Sequence, residues 1–229
     1  MPKSGVAKRR HLMPEKTSDR AMILANIRRS LGAVESPEAI AREYAAIARN
    51  YTRSSEMTTH ALVELFEDRL REYDAGVYFA TDSTIADVIA EILAGRSKKS
   101  MAIPAKLPAH WLPEGFAFME ADKFDAHQLD KADGILSGCT VAIAETGSIV
   151  LQNAPAQGPR ILSLVPDYHL CVVFAGQLVA TVPEGFDRLT GTSDLPTTFI
   201  SGPSATADIE MTRIKGVHGP RFLDVLIVQ

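Results

Sequence analysis

A polar, glycine-rich stretch near the carboxyl end holds the side chains best suited to bind a small anion. Two turn-forming clusters, residues 201–210 and 216–220, bring together small hydroxyl groups, two carboxylates and one histidine. Short side chains and glycine allow backbone N–H groups to approach a phosphate or carboxylate closely. The stretch lacks the Gly-Lys-Ser/Thr ending of a Walker loop. It predicts a binding loop with the ligand-contacting residues Ser201, Gly202, Ser204, Thr206, Glu210 and Gly219.

Two titratable residues in this stretch are candidates for proton transfer. His218 lies between glycines in a loop that is neither regular helix nor strand, so it suits a proton shuttle or an anion ligand. The alternative is a loop histidine bonded to the backbone. Asp208, like Glu210, follows Thr206 and is predicted to begin a short helix. Asp208 would then either act on a ligand at the helix N-terminus or cap its first turn.

Glu145, Thr146 and Gly147 form a second candidate group, between two apolar runs. In α/β sheets, residues that bind a ligand lie at strand ends, so a carboxylate followed by a turn at a strand end is a candidate for this role. Glu145 could be a nucleophile, a general base or a hydrogen-bond acceptor, with Thr146 and Gly147 contacting the ligand. The alternative is a structural turn in which Glu145 bonds nearby amides or pairs with Arg160.

Arg160, Asp167 and His169 form a third candidate group. Arg160 could hold a carboxylate or phosphate with two hydrogen bonds, or pair with Glu145 or Asp167. Asp167 and His169 are two residues apart, which would place both side chains on one face of a strand. This spacing allows an aspartate-oriented histidine or two metal ligands. Because no third ligand has matching spacing, a structural hydrogen bond is favoured and no metal is expected.

Composition limits the classes of function. The chain has 229 residues, 46% of them apolar, and a net charge of −4, which argues against a nucleic-acid partner. It has no apolar run long enough to cross a bilayer and no signal-peptide pattern, so we expect a cytoplasmic protein. Its two cysteines, Cys139 and Cys171, lie in apolar runs and are expected to be buried thiols.

The pattern of the chain predicts an α/β protein with an N-terminal helical extension. Residues 1–17 are predicted to be a disordered basic tail, 18–75 the helical extension, and 76–229 the α/β domain. Alternating strands and helices after Gly76 predict a mixed, largely parallel sheet in a three-layer fold. Residues 162–165 are predicted to be a strand. Gly176 and Gln177 are predicted to form the tight turn of a hairpin whose second strand covers residues 178–181.

Four motifs in order resemble the LUD domain family, and specifically its stand-alone lactate utilization protein C members. They are Ala-Glu-Thr-Gly-Ser-Ile-Val-Leu at 144–151, Arg160 with Ser-Leu-Val-Pro-Asp-Tyr-His at 163–169, residues 201–210 without Ala205, and Gly-Val-His-Gly-Pro at 216–220. The resemblance implies a fold similar to the formyltetrahydrofolate cyclo-ligase and CoA-transferase (NagB/RpiA-like) superfamily.

The same resemblance implies a role in bacterial oxidation of L-lactate to pyruvate. Iron–sulfur clusters would be carried by partner proteins, and this chain would bind no cofactor. It would be an accessory component with a small-anion site. The alternative is an independent CoA-dependent acyl transferase or ATP-using ligase, in which Glu145 is the catalytic carboxylate and CoA or a nucleotide is the ligand. The oligomeric state is open, with a homodimer as one alternative.

Overall fold

The computed structural model describes residues 19–32, 36–206, 214–216 and 218–229, and the chain divides into two compact units. The first unit, Met1–Asn50, contains helices α1 (Asp19–Leu31) and α2 (Pro37–Ala46). The hydroxyl of Ser36 accepts a hydrogen bond from the Ala39 N–H and so caps α2, whose first residue is a proline. Neither helix contains a buried residue.

The second unit, Tyr51–Gln229, contains the remaining helices and all of the strands among the described residues. Its helices are α3 (Thr59–Glu72), α4 (Ile85–Gly95), α5 (Ala126–Leu129) and α6 (Val182–Leu189). Its strands are β1 (Gly76–Ala80), β2 (Ser100–Ile103), β3 (Ala117–Glu120), β4 (Gly134–Ser137), β5 (Val141–Ile143), β6 (Ser148–Gln152), β7 (Tyr168–Phe174), β8 (Leu178–Val179), β9 (Thr197–Ser201), β10 (Ala205–Thr206), β11 (Ile214–Lys215) and β12 (Phe222–Val228).

The strands form three sheets. The large sheet has six strands in the order β1-β12-β7-β4-β2-β3, and every neighbouring pair in it is parallel. The small sheet has the order β8-β5-β6-β9, with β5 antiparallel to β6, β6 antiparallel to β9 and β5 parallel to β8. β10 and β11 form an antiparallel pair. The prediction of an α/β fold with a largely parallel central sheet is confirmed.

The large sheet is covered on both faces, as expected for parallel strands with apolar side chains at successive positions. On one face, Cys171 and Val225 pack with α3 and with Ala142 and Ile149 of the small sheet. On the other face, the side chains of β7 and β12 pack with α4, including its buried Ile85 and Ile89. The outer face of the small sheet packs against α6. The small sheet is therefore an extra layer on the face that α3 also covers. Its strand β9 lies near the amino ends of β7 and β12.

Two secondary-structure predictions are wrong. Residues 160–164 form consecutive turns rather than a strand, and the N–H groups of Leu164 and Val165 both donate to the carbonyl of Ile161. Gly176 and Gln177 do not close a hairpin, because β7 belongs to the large sheet and β8 pairs with β5 in the small sheet. Both segments are apolar in sequence, yet Leu164 is exposed and β8 belongs to a different sheet from β7, because an apolar pattern alone does not determine the strand partner.

Sequence reasoning also missed β4 and α6. β4 has only four residues and lies between β2 and β7, so its assignment depends on long-range pairing. α6 did have a local signal: Thr181 caps it, and the Glu184 carboxylate accepts a hydrogen bond from the Thr181 N–H. This Thr-x-x-Glu capping box is a known helix start. No helix among the described residues is long and apolar enough to span a membrane.

Candidate functional site

A cavity of about 250 Å³ lies at the amino ends of β7 and β12 and is lined by both sheets and two loops. His169 and Leu223, each the second residue of its strand, contribute from the large sheet. β9 contributes from the small sheet. The remaining lining residues come from turns, loops and the first residue of β10: Arg160, Ser163, Gly202, Pro203, Ser204, Ala205, His218, Gly219 and Pro220. We call this space the His169 cavity.

The two predicted binding loops meet at this cavity. The N–H of Ser204 donates to the carbonyl of Pro220 at 2.9 Å, and the N–H of His218 donates to the Ser204 hydroxyl at 3.2 Å. Gly202 has a φ of +81°, and a Cβ there would collide with Tyr73, so this position requires glycine. The structure therefore brings together Ser201, Gly202, Ser204, His218 and Gly219, as residues that line one cavity.

Arg160 supplies positive charge to the cavity wall. Its guanidinium donates to the hydroxyl of Ser163 at 3.1 Å and to the Ser163 carbonyl at 3.4 Å. The Ser163 hydroxyl in turn donates to the Arg160 carbonyl at 3.2 Å, which ties the turn together. Both partners are neutral, so no carboxylate of the described chain pairs with Arg160. An exposed cavity-lining guanidinium of this kind can bind a carboxylate or phosphate.

His169 is one of the residues that line the cavity, and it is only 1% exposed. Its Nε2 lies 2.8 Å from the hydroxyl of Ser137, the last residue of β4. Its Nδ1 is buried and has no hydrogen-bond partner within the described residues. Sequence reasoning missed Ser137, because it reaches His169 only through the pairing of β4 with β7. No local motif marks this serine.

Two buried cysteines lie beside this histidine. Cys171 is on β7, two residues after His169, and its Sγ lies 3.7 Å from the Gly138 carbonyl oxygen. Hydrogen bonding to Cys139, with contributions from His169 and Ser137, lowers the pKa of the Cys171 thiol. The same contact with Cys171 raises the pKa of Cys139. Both cysteines are unpaired buried thiols, as predicted.

Three predicted residues lie in the turn after β5, outside the cavity lining. The Glu145 carboxylate accepts a hydrogen bond from the Val182 N–H at 3.1 Å, at the first residue of α6. Gly147 has a φ of +59° and packs directly against Arg69 of α3. Thr146 is linked to the cavity indirectly, since its hydroxyl donates to Ser148 at 2.8 Å and Ser148 lies 2.6 Å from Ser201. The catalytic assignment of Glu145 stays a prediction.

Asp167 and His169 have different partners. Both Asp167 oxygens accept hydrogen bonds from the Arg221 guanidinium, at 2.6 and 2.8 Å. The hydrogen bond with Arg221 lowers the pKa of Asp167. Asp167 lies just before β7, and the expected hydrogen bond between Asp167 and His169 does not form. The described residues contain no group of three potential metal ligands.

The remaining predicted residues lie partly or wholly outside the described chain. Thr206 ends β10, and its backbone pairs with Ile214. Asp208 and Glu210 lie outside the described residues, so their predicted roles at a helix N-terminus stay predictions.

Comparison with known proteins assigns the family. The LUD domain model matches residues 63–228. Lactate utilization protein C of Deinococcus radiodurans is 41% identical over 170 residues, which cover 73% of this chain and 79% of the relative. Lactate utilization protein C of Oceanobacillus iheyensis is 24% identical over 229 residues, covering 92% and 98%. The crystal structure of a DUF162 family protein from Deinococcus radiodurans aligns with a TM-score of 0.67 and 35% identity, covering 76% and 99%. The chain belongs to the LUD domain family.

Proposed function

We propose that this chain is an accessory component of a bacterial system that oxidises L-lactate to pyruvate, and that it binds a small anion in the His169 cavity. The observation that carries the proposal is the guanidinium of Arg160, which lines the cavity and pairs with no carboxylate of the described chain. The name lactate utilization protein C, carried by two of the relatives above, supports lactate metabolism as the setting.

In this proposal, electrons pass through iron–sulfur partner proteins, and this chain carries no cluster. The whole sequence has two cysteines, fewer than the four thiolates that an iron–sulfur cluster usually takes. Both are buried in the core, where they serve packing. We place the complex in the cytoplasm, with a homodimer of this chain as one alternative for its assembly.

The lining of the His169 cavity favours this role over an acyl transferase or ligase. Arg160 is in the cavity wall, whereas Glu145 lies outside the lining. Glu145, the candidate carboxylate for acyl transfer, is bonded to the start of α6. We also propose that the chain resembles the CoA-transferase (NagB/RpiA-like) superfamily in its fold and not in its reaction.

A growth experiment tests the role in lactate metabolism. Deleting the gene for this chain should abolish growth on L-lactate and leave growth on pyruvate unchanged. The wild-type gene should restore growth, and Arg160→Gln should not. Arg188→Gln removes another exposed arginine, on α6 and outside the cavity lining, and should restore growth fully. Undiminished growth of the deletion strain on L-lactate would show that the proposal is wrong.

A pull-down tests the partners. Affinity-tagged chain, isolated under anaerobic conditions from cells grown on L-lactate, should retain proteins that carry iron–sulfur absorbance. The same preparation without the partners should reduce no dye when L-lactate is added. Lactate-dependent dye reduction by the purified chain alone would contradict the accessory role.

A further inference from the structure

β9 is an edge strand of the small sheet, and its free edge faces the His169 cavity. Within the described residues, the backbone of residues 198–201 bonds only to β6, and all four residues line the cavity. Phe199 lies 5.5 Å from Phe186 of α6, on the outer face of the sheet, whereas Ile200 packs into the core on the inner face. Because these neighbouring side chains point to opposite faces, what both residues present to the cavity is the backbone.

A free strand edge is suited to bind another stretch of extended chain. Its N–H and C=O groups are unpaired at alternate residues, and an extended peptide pairs with all of them by adding as a further strand. A small free anion would leave most of these groups without a partner. The edge of β9 therefore favours a peptide as the occupant of the cavity.

A second space adjoins the cavity near the start of β9. It has a volume of about 200 Å³ and a mostly apolar lining that includes Leu151 and Pro196, and we call it the Leu151 pocket. Arg160 and Thr198 line both spaces, whereas residues 199–201 line the His169 cavity and not the Leu151 pocket. Arg160 therefore lies toward the beginning of the strand.

The position of Arg160 determines the direction of the peptide. A peptide antiparallel to β9 ends near the start of β9, where its carboxylate meets a guanidinium that pairs with no carboxylate of the described chain. A parallel peptide would bring its terminal ammonium to the same place, where two like charges repel. In the antiparallel direction, the last side chain of the peptide lies next to the Leu151 pocket, whose apolar lining suits an aliphatic residue.

We propose that β9 and the His169 cavity bind the extended carboxyl-terminal segment of a partner protein. The segment adds to the small sheet as an antiparallel strand beside β9. Its terminal carboxylate contacts Arg160, and its last side chain, which is aliphatic, occupies the Leu151 pocket. This inference deepens the proposed function, on which it rests, by identifying the bound anion as the end of a partner's chain.

A peptide library tests the ligand class. The probes are hexapeptides of random sequence with free carboxyl termini, displayed on phage and selected on the purified full chain. The selected peptides should end in an aliphatic residue. Replacing the terminal carboxylate of a selected peptide by an amide should weaken binding about 10- to 100-fold, since charged hydrogen bonds are lost. Fluorescence anisotropy measures both affinities. Selection of no sequence, or equal binding of acid and amide, would overturn the inference.

Substitution of Arg160 locates the terminal carboxylate. Arg160→Gln should lower the affinity of the acid to that of the amide and change the affinity of the amide little. Arg188→Gln should change neither affinity, because this arginine lies outside the cavity lining. Thermal unfolding of each variant identifies any loss caused by misfolding. An Arg160→Gln chain that is folded and still prefers the acid would contradict the proposed contact.

Methylation of single backbone nitrogens of the selected peptide tests the added strand on the wild-type chain. An antiparallel strand bonds to its neighbour through alternate residues. Methyl groups should therefore weaken binding about tenfold at every second position, and by much less at the positions between them. A uniform effect along the peptide, or no effect, would show that the peptide does not add to β9.

Hydrogen exchange separates a bound peptide from a small free anion. Saturating peptide should slow amide exchange in residues 197–201, because its carbonyl groups accept hydrogen bonds from the edge of β9. L-lactate supplies no series of acceptors along the strand and should leave this exchange unchanged. A peptide that binds without slowing exchange in β9 would overturn the inference. Equal slowing by L-lactate would show that a small anion occupies the cavity, and would also overturn it.

The two proposals fail in different experiments. If the deletion strain loses growth on L-lactate but the pure chain selects no carboxyl-terminal peptide, the peptide inference is wrong and the accessory role stands. If the chain binds the selected peptide through Arg160 but the deletion strain grows normally on L-lactate, the accessory role is wrong and the peptide inference stands.

Discussion

Asp224 is a fully buried carboxylate on β12 of the large sheet, and it forms an ion pair with Arg96, the residue that follows α4. It accepts hydrogen bonds from the Arg96 guanidinium beyond the end of α4 and from the Tyr168 hydroxyl on β7. The burial of Tyr168 and the nearby Asp224 charge raise the pKa of that phenol, so it remains a donor. Gly76 lies opposite Asp224 on β1, where a Cβ would collide with the carboxylate. This network orders the end of α4 on the sheet.

The first residue-scale prediction concerns this carboxylate. Asp224→Asn should lower the free energy of unfolding by about 3 kcal/mol, because it leaves a partly buried Arg96 without its counter-charge. The control is Asp187→Asn, since Asp187 lies 3.9 Å from Arg53 with both side chains exposed, and should cost less than about 0.5 kcal/mol. Urea denaturation measures both values. Equal losses in the two variants would contradict a stabilising role for the buried pair.

At the scale of elements, the turn after β5 connects the small sheet to α3 and α6. Gly147 adopts a left-handed conformation, and Glu145 bonds to the first N–H of α6. A carboxylate at this position also interacts favourably with the positive end of the helix. Through these contacts the Glu-Thr-Gly motif stabilises the fold. Its sequence alone is equally compatible with a ligand-binding turn.

The element-scale prediction tests this folding role. A Cβ on Gly147 would lie 2.9 Å from the Arg69 Cβ and 3.1 Å from the Arg69 carbonyl carbon, so α3 would have to move. Gly147→Ala should therefore cost at least about 2 kcal/mol, from the left-handed backbone and the close contact together.

Gly176→Ala is the matched control for this change. Gly176 also lies in a short turn, but its φ is not positive and a Cβ there would have no atom within 4 Å. The control should change the free energy of unfolding by less than about 0.5 kcal/mol in the same urea experiment. A Gly147→Ala variant as stable as this control would show that the turn does not depend on the contact with α3.

At the scale of the whole molecule, the buried core lies within the second unit. The buried residues of the described chain begin at Val63, in α3, and α1 and α2 contain none. The LUD domain match begins at the same residue. The folding free energy should therefore come almost entirely from the unit that starts at Tyr51.

Truncation tests this division of stability. A chain that begins at Tyr51 should unfold in one cooperative transition, with a Tm within about 3 °C of the full chain, since little buried surface is lost. Differential scanning calorimetry measures both transitions. A truncated chain that is unfolded, or that melts far below the full chain, would show that residues before Tyr51 stabilise the second unit.

Much of the element order follows from local sequence. Ser36 and Thr58 are residue types that favour helix starts, and the side chain of each caps its helix. The apolar run at the carboxyl end forms β12, the second strand of the large sheet. The residues with anion-binding chemistry, Arg160, Ser204 and His218, were also identifiable from type and spacing, and they do line one cavity. Capping and hydrophobic periodicity act over a few residues, so a single sequence displays them.

Only the tertiary structure determined which of these residues line the same cavity and where that cavity lies in the fold. Rules for parallel sheets direct attention to the carboxyl ends of strands, yet this cavity lies at the amino ends of β7 and β12, where the small sheet closes over them. Strand pairing placed Ser137 against His169, 32 residues away, and the preceding loop paired Asp167 with Arg221 rather than with the histidine. Such partnerships depend on strand order and register, which arise from packing across the whole core and leave no local trace in the sequence.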